Sequence, residues 1–119
     1  MKPPENVKPG VGFLYRGKLY VRIKCPKRFK PGCRVKAVVL TKKRGKAMTR
    51  SIRRRVRSGQ YRRAALRIRK KYRPRLVRLS TVKRKTIVLK LRIRSKQVTR
   101  GKGPTTVYHH LRVRRPAER

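Results

Sequence analysis

Apolar and polar residues alternate along much of this chain, and such alternation predicts strands that bury one face. The clearest stretch has Ile87, Leu89, Leu91 and Ile93 on one side and mostly basic residues on the other. Near the N-terminus, two apolar runs flank Arg16 and Gly17, so a hairpin is predicted to turn there. Further strands are predicted over 33–41, 76–79 and 107–113.

The region from Ser51 to Tyr72 has a longer hydrophobic period, which predicts basic helices. Ile52 and Val56 lie four positions apart, and Ser58-Gly59 is a predicted stop or bend. Pro74 is predicted to close the second helix. Its apolar face would be formed by Tyr61, Ala64, Ala65, Ile68 and Tyr72.

Together these elements predict an α+β fold, in which a small antiparallel sheet carries one or two basic helices on one face, with extended basic loops and tails. The length of 119 residues allows one domain with a small core. We expect that domain to span 12–114. A Pro-rich extended arm would precede it over 1–11, and a short tail would follow over 115–119.

Charge is the strongest functional signal in the sequence. Lys and Arg number 42, the only acidic residues are Glu5 and Glu118, and the formal net charge is +40. Such a chain repels itself when it becomes compact, so folding is opposed unless a polyanion supplies counter-charge. Nucleic-acid phosphates are the obvious source.

The predicted RNA-binding residues lie in the basic helical region and in two glycine-containing basic loops. Arginine can hold a phosphate with two hydrogen bonds, and glycine lets the backbone approach closely. An ordinary solvated helix would also carry acids to pair with its cations, and this region has none. The candidates are Lys42, Lys43, Arg44, Lys46, Arg50, Arg53, Arg54, Arg55, Arg57, Arg62, Arg63, Arg67, Arg69, Lys70, Lys71, Arg73, Arg100 and Lys102.

Aromatic residues allow two interpretations. Tyr15, Tyr20 and Phe29 could form a base-stacking platform, as on sheets that bind single strands. Packing of Phe29 and one tyrosine in the core is the favoured alternative, because the chain has only seven aromatic residues. Tyr61 and Tyr72 are predicted to be packing residues on the helical stripe.

The sequence gives little support to catalysis, cofactors or metals. No phosphate-binding glycine motif is present, and no carboxylate within the fold could orient a histidine or hold Mg²⁺. Cys25, Cys33, His109 and His110 include zinc-ligand types, but their spacing does not match a zinc knuckle. We therefore expect no enzyme, no cofactor, no metal and no small-molecule substrate, and free thiols in a reducing compartment.

Membrane insertion is not predicted either, because no apolar run approaches the roughly 20 residues that a spanning helix needs. No signal-peptide pattern is seen after Met1-Lys2-Pro3-Pro4. The chain is therefore predicted to be soluble and intracellular.

In its acid depletion, patterned core, Pro-rich arm and basic glycine loops, the chain resembles ribosomal proteins. The stretch Ser51-Ile52-Arg53 through Val56-Arg57 to Tyr61-Arg62 is similar to the eukaryote-only large-subunit family twenty-eight. This resemblance implies a structural ribosomal protein, of the large subunit, that packs among ribosomal RNA helices and neighbouring ribosomal proteins. It implies a cytoplasmic ribosome, with an organellar ribosome as the alternative.

Three other functions remain open on the sequence. A DNA-condensing, nucleoid or viral core protein would also suit a charge of +40, but such condensers need no patterned core. A small RNA-modifying enzyme or nuclease would have to use His109 or His110. An accessory factor that visits the ribosome during assembly would share the same basic surface.

Overall fold

The computed structural model of this chain describes residues 7–29, 32–82, 86–94 and 105–115. This part of the chain is mainly β and contains a single short helical segment, so the predicted α+β arrangement of basic helices on a sheet is wrong. The strands are β1 (Val11–Tyr15), β2 (Lys18–Lys24), β3 (Gly32–Leu40), β4 (Ile52–Arg57), β5 (Tyr61–Arg67), β6 (Thr86–Arg94) and β7 (Thr105–Arg114). Between β5 and β6 lie a 3-10 turn (Lys70–Tyr72) and the helix α1 (Arg73–Leu79).

The strands form one mixed sheet in the order β4-β3-β6-β7-β1-β2-β5. Neighbours are antiparallel except for β1 and β7, which are parallel. The sheet curls until its two edge strands, β4 and β5, approach each other, which gives a nearly closed barrel. Within the described residues, these two edges are not joined by a hydrogen-bonded ladder.

A short segment just before β4 closes one end of the barrel. The backbone N–H of Arg50 donates to the carbonyl of Arg67 at 2.9 Å, and that of Arg69 donates to Met48 at 2.9 Å. The same segment returns to β3, because Thr49 Oγ1 accepts a hydrogen bond from the N–H of Val39 at 3.1 Å. Residues 48–50 therefore connect β3 with the end of β5.

The region predicted as basic helices, from Ser51 to Tyr72, consists mostly of β4, a tight turn and β5, and these two strands do not pair with each other. The predicted bend at Ser58-Gly59 is where the chain turns from β4 into β5, and Gly59 has a φ of +74° that suits glycine. A spacing of four, as between Ile52 and Val56, fits a strand period of two as well as a helix. In β5 the buried positions Ala64 and Leu66, followed by Ile68, alternate with the half-buried Ala65 and the exposed Arg63 and Arg67.

The helix lies where a strand was predicted, over 76–79. Pro74 lies in the first turn of α1 rather than at the end of a helix, because its fixed φ suits that turn, where an N–H has no intrahelical partner. Leu76 is completely buried and packs with Tyr72 in the barrel core. The Arg73 guanidinium lies against Gly17, so the helix covers the barrel end at the β1–β2 turn.

The alternating stretches were predicted correctly as strands. Ile87 to Ile93 belong to β6, and the stretches at 33–41 and 107–113 correspond to β3 and β7. The first hairpin turns at Arg16 and Gly17, whose φ values of +47° and +75° are both positive, as in a type I′ turn.

Most apolar side chains fill the barrel, and a smaller apolar cluster lies on its outer face. Phe29 belongs to the core, whereas Tyr15 and Tyr20 pack with Val7 in the outer cluster. The packing prediction is confirmed for Phe29 and Tyr72, whereas neither Tyr15 nor Tyr20 lies in the barrel core, where one of them was predicted. For Tyr61 it is wrong, because this side chain is 58% exposed on β5.

Cys25 and Cys33 form a disulfide, so the prediction of free thiols is wrong. Cys25 follows β2 and Cys33 lies in β3, with Cα atoms 5.7 Å apart and both side chains buried. The prediction used compartment statistics alone and could not foresee that the barrel brings these two strand ends together. The bond links the β3–β4 and β2–β5 pairs at the end that carries the β4–β5 turn.

Reduction of this disulfide is expected to lower the free energy of unfolding by about 2–4 kcal/mol, because the open loop gains conformational entropy in the unfolded chain. Urea unfolding at high salt, with and without a reductant, measures the change. The control is the double variant Cys25→Ala/Cys33→Ala, whose midpoint should not respond to reductant. A wild-type midpoint that reductant leaves unchanged would contradict the bond.

Candidate nucleic-acid interface

Three adjacent strands align two rows of cations on the outside of the barrel. In the first row, Arg34 of β3 lies directly opposite Arg55 of β4 on one side and Arg94 of β6 on the other. In the second row, Lys36 lies opposite Arg53 and Arg92 in the same way. Because side chains two positions apart share one face of a strand, all six project from the same surface. We call these six residues the cationic array.

The array is accessible to a ligand. All six side chains are exposed, while the intervening Val35, Ala37, Leu91 and Ile93 are buried inside the barrel. Together with Val35 and Arg54, the array residues line an open cleft of about 390 Å³. Strands lie about 4.8 Å apart, so the rows present positive charge at short and regular intervals.

The array is electrostatically unfavourable without a ligand. It contains four directly opposed like-charge pairs, Arg34 with Arg55 and Arg94, and Lys36 with Arg53 and Arg92. Each such pair destabilises a sheet by a few tenths to about 1 kcal/mol, so the array costs about 1–4 kcal/mol. That cost matters beside a typical total stability of about 5–15 kcal/mol. No carboxylate side chain lies among the described residues to offset it, because Glu5 and Glu118 fall outside them.

In the absence of carboxylates, several cations lie over the faces of aromatic rings, which attract positive charge. The Arg22 guanidinium carbon lies 3.4 Å from the centre of the Tyr61 ring, and the Lys43 ammonium lies 5.0 Å from that of Tyr108. Rings of Tyr15, Tyr20, Phe29 and Tyr72 have cations 5.0–5.4 Å from their centres. Each contact contributes about 0.5–1 kcal/mol at an exposed site, so these rings cannot neutralise the surface.

Every predicted binding residue that the structure describes is exposed, but these residues are spread around the barrel. The loop after β3 carries Lys42, Lys43, Arg44 and Lys46, and contacts β7 through Lys43 and Tyr108. Arg50 precedes β4, Arg53, Arg54, Arg55 and Arg57 lie on β4, and Arg62, Arg63 and Arg67 lie on β5. Arg69, Lys70, Lys71 and Arg73 surround the helical turn, and Arg100 and Lys102 lie outside the described residues.

The sequence prediction missed four of the six array residues, Arg34, Lys36, Arg92 and Arg94. These four residues could have been found from the sequence, because they form the basic faces of the predicted strands at 33–41 and 87–93. Only the register shows that these two faces adjoin, with Arg53 and Arg55 completing the array on β4.

Cys25 and Cys33 cannot serve as thiolate ligands of a zinc ion in this structure, because both sulfurs are in the disulfide. Across the described ranges, no three His, Cys, Asp or Glu side chains come together as a metal site. His110 Nδ1 lies 3.4 Å from Thr86 Oγ1, and both groups are exposed. Nor does the described part of the chain include a helix with the length and apolarity to cross a membrane.

Comparisons of the chain with protein-family models, with curated proteins and with solved structures gave no match. The resemblance to ribosomal proteins therefore stays a prediction.

Removing the central charge of the array is expected to stabilise the free protein. Lys36→Gln abolishes two directly opposed pairs and should raise the free energy of unfolding by about 0.5–2 kcal/mol at low salt. The gain should shrink at high salt, since exposed charges are then screened. Urea titrations at the two ionic strengths measure it.

The matched control is Lys46→Gln, which removes an exposed lysine from the loop after β3. An equal gain in the two variants would mean that total charge, rather than the array, opposes folding.

Proposed function

We propose that this protein binds RNA as a structural constituent of a ribonucleoprotein particle, and that the particle is the ribosome, in its large subunit. The cationic array carries the proposal. Six exposed cations in register, with no acidic side chain among the described residues, form a surface whose favourable partner is a row of phosphates.

Charge on several sides of the barrel supports an embedded protein rather than one that binds through a single face. Besides the array, exposed cations lie on the loop after β3, on β5 and on α1. A protein among RNA helices would use the loop after β3 and β5 together with the array, and neighbouring ribosomal proteins could cover α1. The barrel also gives the chain a packed core, which a DNA-condensing protein does not require.

Phosphate binding requires no catalytic group, so the proposal includes no reaction, cofactor or small-molecule substrate. Backbone contacts of this kind position a protein without reading bases. The array would thus set where the barrel lies on RNA, and base-dependent selection would have to come from other residues.

The test compares two triple variants with the same net charge. The row variant, Arg34→Gln/Arg55→Gln/Arg94→Gln, removes one row of the array. The scattered variant, Lys18→Gln/Arg75→Gln/Arg78→Gln, removes three exposed cations from β2 and α1. Each lost phosphate contact lowers the salt dependence of log affinity by roughly 0.7–0.9. We therefore expect the row variant to lose about 2 units of slope and the scattered variant less than about 1.

Titrations with structured RNA and with duplex DNA of equal length, at several salt concentrations, measure the salt dependence of affinity for each variant. They also measure the preference of the protein for RNA over DNA. Equal slopes for the two variants would remove the array from the interface. Equal affinity for RNA and DNA would favour the DNA-condensing alternative. Cosedimentation of the tagged protein with mature large subunits at high salt tests the ribosomal assignment, and recovery only with immature particles would indicate an assembly factor.

A further inference from the structure

Tyr61 is an exposed aromatic ring at the start of β5, next to the β4–β5 turn. Its ring has the guanidinium carbon of Arg22 at 3.4 Å from its centre, which is stacking distance on one face. The side chain is nevertheless 58% exposed. Because the Arg22 guanidinium lies over one face, a ligand would reach the ring from the opposite face or the edge.

The residues around Tyr61 on the same face of the barrel are basic. Lys24 lies directly opposite Tyr61 in the β2–β5 ladder, and Arg22 lies opposite Arg63. Stacking on Tyr61 fixes Arg22, and Arg63 lies over the ring of Tyr20 at 5.3 Å. An open aromatic face with three cations beside it suits a nucleotide, because the ring can stack the base while the cations meet its phosphates.

This ring also lies close to the cationic array around the barrel. β4 carries Arg53 and Arg55 of the array, and the chain turns at Ser58-Gly59 directly into Tyr61. The array row that contains Arg55 is the one nearer to this turn. An RNA strand whose phosphates lie along the array could therefore continue past the β4–β5 turn and place a base on Tyr61.

We propose that Tyr61, held by Arg22, is a stacking site for one unpaired nucleobase of single-stranded RNA, an inference that rests on the proposed RNA binding. A base inside a duplex has both faces covered by its neighbours, so only an unpaired base offers a face to the ring. Stacking tolerates any base, because every base has a π-face. The site would thus select unpaired segments rather than a sequence.

The experiment uses Tyr61→Leu, with Tyr61→Phe as the matched control that keeps an aromatic ring. The probes are a single-stranded RNA oligonucleotide, an RNA duplex of the same length, and inorganic polyphosphate, which has no bases. Tyr61→Leu should weaken single-strand binding by about 5- to 150-fold. Duplex and polyphosphate binding should change less than about 2-fold, and the salt slope should stay the same, because no charge is removed. Tyr61→Phe should bind all three probes like wild type.

The outcomes separate this inference from the proposed function. Equal weakening for all three probes would show that Tyr61 only positions Arg22, and unchanged binding for all three would show that it contacts no base; either result overturns the site while RNA binding stands. Wild-type protein that fails to bind any RNA overturns both proposals. Melting curves at high salt verify that Tyr61→Leu is folded.

A second measurement reports stacking directly. A single-stranded probe that carries 2-aminopurine should lose fluorescence on binding to wild type and Tyr61→Phe. Tyr61→Leu, at a concentration that saturates the probe, should leave the fluorescence high. Full quenching by Tyr61→Leu would overturn the site.

Discussion

Repulsion among cations that have no acidic partners constrains this whole structure. A sheet must bury one face to be stable, and here most cations of the strands lie on the other face. In β3 and β6 the buried Val35, Ala37, Leu91 and Ile93 alternate with the six-cation surface. Curling the sheet into a barrel buries the apolar side chains inside and spreads the cations around the outside. The alternation of apolar and basic residues therefore forms the core and also produces a charged surface that an external anion would stabilise.

The two proposed contacts divide the recognition of RNA between them. The array offers charge at regular intervals without regard to sequence, which suits a phosphate backbone. Tyr61 offers a flat apolar face, which suits a base that has no partner. Because the β4–β5 turn places these features side by side, the barrel would favour RNA sites where a backbone path ends in an unpaired nucleotide.

The sequence predicted the strands with a clear period of two, such as Ile87 to Ile93, and the turn at Arg16-Gly17. The prediction of helices for 51–72 was wrong. The spacing between Ile52 and Val56 fits both a helix and a strand, and this region forms strands because β4 pairs with β3 and β5 pairs with β2. The sequence prediction found Arg53 and Arg55 but missed their partners Arg34, Lys36, Arg92 and Arg94. The array depends on register between strands distant in sequence, which local patterns do not contain. The Cys25–Cys33 bond likewise depends on how the fold brings two strand ends together, which local patterns do not contain.

The seam between β4 and β5 has a consequence for motion. Within the described residues, no hydrogen-bonded ladder joins these strands, which are connected by the turn at Ser58-Gly59 and by the pairing of residues 48–50 with 67–69. Each strand has its ladder on the opposite side, with β3 and with β2. The amide groups that face the seam are thus the ones from which deuterium exchange would begin. Local opening of the barrel would start between β4 and β5, which carry part of the proposed RNA contacts, while β7 at the centre of the sheet stayed paired.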